Sequence, residues 1–485
     1  MKNRLYLHLM ANREKGFALP LAVLIGLILM VTGITMMMRA QGDQSKVIAQ
    51  KAQADALRSS EAGVTRVQDL LNSVRVMAKV DSNSNCTPKG CWQTAQVVPT
   101  PSTDLQKDLK KLYTAASCSN PDDADTLSAK IDQLRGLSGG QWFDLGNNRY
   151  YRVDRVVGYN FDDTNPPPDG LGWGVLTLEG LSLSPQGDPN NIDGDNAASR
   201  NRVVVTIPIL ASPPPPSGRS AFTRTTVPTL WISEGEADDG AKFQGDVVES
   251  PGCNQTKIQQ PTPAPNPSYT AQFVGVSFPD LPWIPGLSLG DLTSSETFPR
   301  TDEDGAITDT PSTRTINGQS VQVYEYIVDN INLSGSDKIT ITPGQRVVFY
   351  VKGNINGAIE HNCSSVSPPT VCKSGNLQIY ADGSGSTAPQ ICLKGDQRLE
   401  AFIFAPKYSL GKTGTGTFIG AAWGKNWGKI SDCASNSGAV AVTQGVEWTE
   451  LITNLKPQFP QLGGVDNWCE EPIDTPAGAS ECVPD

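Results

Sequence analysis

Histidine is nearly missing from this 485-residue chain; only His8 and His361 occur. A Ser-His-Asp or Cys-His catalytic arrangement would have to pass through one of them. His361 lies between Glu360 and Asn362, beside Cys363, in what reads as a surface turn. No catalytic residue is assigned there, and no enzyme is expected. Close metal-ligand spacings are missing too. The ten cysteines (Cys86, Cys91, Cys118, Cys253, Cys363, Cys372, Cys392, Cys433, Cys469 and Cys482) contain no CxxC pair, whereas zinc sites usually draw on closely spaced Cys and His. An even number spread along an exported chain reads as disulfides. Spacing suggests local loops only for Cys86 with Cys91, Cys363 with Cys372 and Cys469 with Cys482. Neither metal nor cofactor is expected. Basic clusters are absent as well, and the formal charge is −11, which argues against a nucleic-acid partner. Charged residues make up only 18%, beside 46 Gly and 36 Pro, a composition that suits a loop-rich, mainly β protein with room for two or three domains.

Charge is missing altogether from residues 17–38, a run of 22 residues. As a helix it is about 33 Å long, enough to cross a bilayer core of about 30 Å. Lys2, Arg4, Arg13 and Lys15 precede it against a single Glu14, which favours a cytoplasmic N-terminus and an exported remainder. A secretory signal would have a shorter apolar region and small residues at its end; here the run closes on Met36, Met37, Met38 and Arg39. Proline is then absent from Arg39 to Val80. Leu57, Val64, Val67, Leu71 and Val74 recur at helical spacing, so Phe17 to about Val80 reads as one long helix.

The order of residues at the head of this run resembles a known family. Lys15-Gly16-Phe17, with the charge break just before the apolar stretch, resembles the prepilin peptidase site of type IV pilins and pseudopilins. The segment Ala56 to Val64 (ALRSSEAGV) resembles the AEAG stretch of PilX-like minor pilins, and the run FALPLAVL from Phe17 is similar to pseudopilins linked to polysaccharide secretion. The resemblance implies cleavage after Gly16, methylation of Phe17, and assembly through a helix carrying Leu19, Pro20, Leu21, Val23, Leu24, Leu27 and Leu29. Its implied partners are prepilin peptidase, an inner-membrane assembly platform, membrane lipid and other pilins or pseudopilins. Cleavage would leave a mature chain near −14. Most major pilins carry a Glu at the fifth mature position, where it pairs with a neighbour's amine; here that residue is Leu21. The departure suggests a minor subunit, placed at a filament tip, rather than a bulk one.

The implied organisation is a leader (1–16), a membrane and assembly half of the helix (17–38), an amphipathic half (39–80), a pilin-like head (81–211), a proline-rich linker (212–218) and a β-rich, Cys-containing domain (219–485). Residues 81–140 read as irregular; strands are expected in Arg149–Tyr159, Gly174–Leu183 and Arg202–Leu210. In the last region, about Thr340 to Trp427 resembles β-solenoid-like domains attached to PilX-like N-termini. The fold class is therefore α+β, a long helix plus antiparallel sheet, followed by a mainly β domain: a right-handed β-helix, with a β-sandwich as the alternative.

The remaining motifs are weak. Gly411-Lys412-Thr413 lacks the preceding Gly of a phosphate loop, because position 406 is Pro. Acidic stretches at Asp188–Asp195 and Asp302–Asp309 offer oxygen donors but not EF-hand spacing, and read as solvated turns. Trp423, Trp427 and Trp468 could stack on sugars, or pack into the fold. The function expected is a minor pilin or pseudopilin presenting its β-rich domain for adhesion, motility or polysaccharide secretion. Its precursor would span the inner membrane once, and the assembled form would be a periplasmic or cell-surface filament. A membrane-anchored adhesin and a polysaccharide-acting β-helix enzyme are the alternatives.

Overall fold

With no proline after Pro20 and few glycines, the apolar run continues without a break into the amphipathic segment. In the computed structural model both form one helix, α1 (Asn3–Ser73), about 107 Å long, closed by a 3₁₀ turn at Arg75–Lys79. The structure describes residues 3–476, 480 and 482, except 120, 169, 185–196, 213–220, 234, 239, 249–256, 273–277, 284, 367–370, 434–438 and 458. Side chains of α1 before Leu19 are also outside the description, as is that of Cys118. The linker 212–218, apart from the backbone of Ser212, the acidic stretch 188–195 and Cys253 fall outside it too.

The lower half of α1 packs on an antiparallel sheet, as the helical spacing predicts. Val64, Val67, Leu71 and Val74 are buried, and Leu57 lies at the margin of the same cluster. The sheet is built from β1 (Phe143–Gly146), β2 (Arg149–Val153), β3 (Tyr159–Asp162), β4 (Gly170–Leu183) and β5 (Ala197–Ser212). Strands β1, β2, β4 and β5 follow in that order, and β3 pairs with β4. Small residues set the helix–sheet distance. A Cβ on Gly63 would lie 2.8 Å from the Tyr151 ring, and one on Gly180 would lie 2.2 Å from the Ala56 carbonyl. Ser59 and Ser60 are fully buried between them, and the Ser59 hydroxyl reaches the Leu181 carbonyl at 3.3 Å. The stretch around Gly63 is thus a contact surface, not a generic amphipathic face. At the end of the helix Tyr159 stacks on Trp92 (4.9 Å), its hydroxyl donating to Ala78 O and the indole donating to Met77 O.

Two features of this half differ from the sequence expectation. Residues 81–140 contain two helices, α2 (Asp104–Ser119) and α3 (Pro121–Ser138). Leu105 and Leu109, then Leu127, Ile131, Leu134 and Leu137, are buried at helical spacing, a pattern masked by the polar residues around it. The sheet is also completed from far along the chain. Strands Phe459–Leu462 and Asn467–Glu471 pair antiparallel with β5. The unit expected at 219–485 therefore does not stay separate to its end; its last strands belong to the head. Leu462 enters the helix–sheet core, while Cys469 and Cys482 cover Val175 and Val204 on the opposite face.

Between β5 and those returning strands lies a β domain in which parallel pairing dominates. One ladder runs through Tyr326, Phe349, Ile379, Ile403, Ala422, Leu230, Val247 and Ala271, all in one buried cluster. Another runs through Leu292, Ile331, Ile355, Ile391, Leu410 and Trp427 in the same cluster. Because side chains alternate along a strand, the residues next to the first ladder form a second stack on the outside: Tyr350, Tyr380, Phe404, Trp423 and Trp231. Phe222, Phe278 and Trp448 cover that aromatic face. An antiparallel sandwich, the alternative expectation, is not what forms. The antiparallel hairpin Ser312–Ile316 with Gln319–Asn332 turns at Asn317 and Gly318, both with positive φ, as a two-residue hairpin requires.

The order of the stack is not the order of the chain. Strand Leu230–Ile232 pairs with Phe418–Trp427, and Val247–Val248 and Ala271–Gln272 extend the stack beyond it. The next strand, Leu287–Leu292, joins at Gln319–Asn332 near the other end. Phe278, from the chain between them, packs on the aromatic face, 4.7 Å from Trp231 and 5.3 Å from Phe404.

Candidate functional site

Among the described residues, exposed apolar side chains are concentrated on the upper half of α1. Leu19, Leu21, Val23, Leu24, Leu27 and Leu29 are all at least half exposed, and Ile25, Ile28, Met30, Val31 and Met36 to Met38 continue the same surface. Among the described residues this is the one helix long and apolar enough to cross a membrane. Covering each such side chain is worth about 1.5–3 kcal/mol, so this half requires lipid or other apolar helices around it. Thr32 and Thr35 do not interrupt it, because their hydroxyls donate to carbonyls one turn back. Gly16 and Phe17 lie within the helix backbone. Pro20 has no N–H, so the Gly16 carbonyl lacks its usual donor four residues on.

A second feature sits where the head meets the β domain. A cleft of about 560 Å³ is lined by Val76, Lys79, Lys89, Asp104 and Phe161 on one side and by Phe278, Asp280 and Lys456 on the other. Both lysines and aspartates line it, so the charges there are of both signs.

Among the described residues four disulfides are formed: Cys86–Cys91, Cys363–Cys372, Cys392–Cys433 and Cys469–Cys482. The third joins residues 41 apart, a pairing that spacing does not suggest. His361 is not the surface-turn histidine expected from its polar neighbours. It is fully buried, bridged to Leu399 of the next turn of chain. Its Nδ1 lies 2.5 Å from the Glu400 carbonyl, and its Nε2 lies 3.6 Å from Cys363 Sγ and 3.4 Å from Cys372 Sγ. A carbonyl can only accept, so Nδ1 carries the proton and Nε2 presents its lone pair to the sulfurs. Burial lowers the pKa of the ring and keeps it neutral.

The other sequence candidates are dispersed. Trp423 and Trp427 are buried and Trp468 is about one-third exposed; Trp283, at 78% exposure, is the more accessible indole. It sits between Pro282 and Pro285 in an apolar loop that helical or strand periodicity does not reveal. Gly411 and Lys412 end a strand, and a Cβ on Gly411 would strike the Cys433 carbonyl at 2.2 Å, so this stretch is no phosphate loop. In the second acidic stretch, Asp302 Oδ1 accepts from the Asp304 and Ala306 amides, and Asp309 is engaged by Arg300 and the Tyr326 hydroxyl. Those two carboxylates are committed to the turn and its neighbours.

No protein-family model matches the chain, and no curated protein matches it. Among solved structures it is similar to the competence-associated pilin ComZ from Thermus thermophilus. The identity is 11%, with 87% of this chain and 98% of that chain covered. The TM-score is 0.21, too low to carry an argument about this chain.

Proposed function

We propose that this chain is a pilin-like subunit, a minor pilin or pseudopilin of a type IV pilus-like or secretion machine. The observation that carries the reading is one continuous helix with two environments. Its lower half is locked onto an antiparallel sheet through Gly63 and Gly180, and its upper half is apolar and uncovered. A helix built this way can be held in lipid and then transferred into a bundle of similar helices without remaking the head. Prepilin peptidase would cut after Gly16, Phe17 would be methylated, and an inner-membrane platform would extract the product. The precursor would span the inner membrane once with its N-terminus cytoplasmic. The absence of an acidic residue at Leu21 fits a tip or minor position.

We read the parallel ladders of the outer domain as a solenoid of the right-handed β-helix kind, carried outward by the head. Its role would be binding, not catalysis: the exposed indoles of Trp283 and Trp468 offer flat faces for a surface or a secreted polysaccharide. The test of processing is the N-terminus of protein recovered from cells. Sequencing is expected to begin at N-methylated Phe17, and a Gly16→Glu variant to remain at precursor size. A chain that still begins at Met1 in wild-type cells would reduce it to an ordinary anchored surface protein.

A further inference from the structure

We propose that His361, Cys363 and Cys372 form a zinc-class metal site when the Cys363–Cys372 disulfide is reduced. The three donor atoms lie within 4.8 Å of one another and are buried. A tetrahedral zinc ion with bonds of about 2.0–2.1 Å to nitrogen and about 2.3 Å to sulfur places those atoms about 3.6 Å apart. The imidazole Nε2 is already 3.6 and 3.4 Å from the two sulfurs. Only the sulfurs, joined in the oxidised form, have to part, to about 3.8 Å. The ring is preset for the task, because its Nδ1–H is committed to the Glu400 carbonyl, the second-shell arrangement that orients metal-binding histidines.

The frame around the pair does not depend on the S–S bond. The Glu400 carboxylate accepts from the Cys363 amide at 3.1 Å and from the Ser374 hydroxyl at 3.0 Å, so both ends of the loop are tied to one buried group. Arg398 offsets its charge at 2.7 Å. Reduction by a dithiol adds two electrons and two protons, giving two thiols while the reductant closes to its own disulfide. Binding of a divalent ion releases the two thiol protons. Two thiolates and a dipositive ion are neutral together, which suits a buried site. Three protein donors leave a fourth position for water. The ion and the disulfide are therefore mutually exclusive states of one cluster.

The experiment uses the exported part of the chain, reduced anaerobically, freed of reductant and titrated with Co²⁺ as the probe. One equivalent is expected to give thiolate-to-cobalt charge-transfer bands that Zn²⁺ displaces, and the oxidised chain is expected to give none. His361→Ala is expected to weaken that binding by more than about tenfold while the thiol count stays the same. Cobalt binding that His361→Ala leaves unchanged would overturn the assignment, as would bands that persist in a Cys363→Ser, Cys372→Ser double variant. Should the variants not fold, zinc-edge absorption on the wild-type reduced chain decides. Two sulfurs and one imidazole nitrogen support the site; oxygen-only or four-sulfur coordination refutes it.

Discussion

Ending the chain after Pro457 is expected to unfold the head while leaving the β domain folded. The removed segment carries two strands that pair with β5 and the Cys469–Cys482 disulfide. Leu462 would leave the helix–sheet core, a loss of about 2–3 kcal/mol. Arg202 is 5% exposed and pairs with Glu471 at 3.2 Å, while its Nη1 donates to the Thr475 carbonyl at 2.9 Å. Removing both leaves this buried charge with Asp154 alone, 3.9 Å away, at a cost of up to about 3–5 kcal/mol. Val175 and Val204 would also lose their cover. Together these losses rival the whole stability of a domain, about 5–15 kcal/mol. Calorimetry of residues 39–485, intact and truncated, checks this. Loss of the head transition with retention of a protease-resistant β domain is the expected result; an unchanged head would mean the returning strands are incidental.

Replacing Ile28 by Lys is expected to abolish assembly. Position 28 is the middle of the uncharged run and is 53% exposed. At the centre of a membrane helix Lys is about 3–4 kcal/mol less favourable than Ile on insertion scales, a factor of several hundred in partition. In a bundle of apolar helices an unpaired ammonium is no better placed. Gln44→Lys, on an exposed polar stretch of the same helix, is the control and should assemble normally. The quantity to measure is the share of each variant in sheared surface filaments relative to membranes. A fall of at least about a hundredfold is expected for Ile28→Lys.

Much of this architecture could be read from residues alone, and the parts that could not have a common cause. The long helix was legible because an uncharged run and a heptad-like stripe are local signals. Strand β5 was legible because Val203, Val205, Ile207 and Ile209 alternate. The resemblance over about Thr340 to Trp427 pointed to stacked strands there, though not to which strand stacks on which. Helices α2 and α3 were overlooked although their leucines stand at helical spacing, because polar residues and cysteines nearby suggested irregular chain. The strands after Phe459 were unreadable as part of the head: their partner, β5, lies more than two hundred residues earlier, and nothing local encodes that distance. His361 failed for the same reason. Glu360 and Asn362 make it look exposed, whereas the residues that bury it arrive with Leu399 and Glu400.

In the proposed function α1 exchanges lipid for sister helices. A photo-crosslinking residue at Leu24, whose side chain is 57% exposed, reports that exchange directly. In cells with an intact assembly machine, irradiation is expected to join this chain to the helix of another pilin-like subunit in the filament fraction, and in cells lacking the machine to lipid alone. Lipid adducts only, under both conditions, would contradict it.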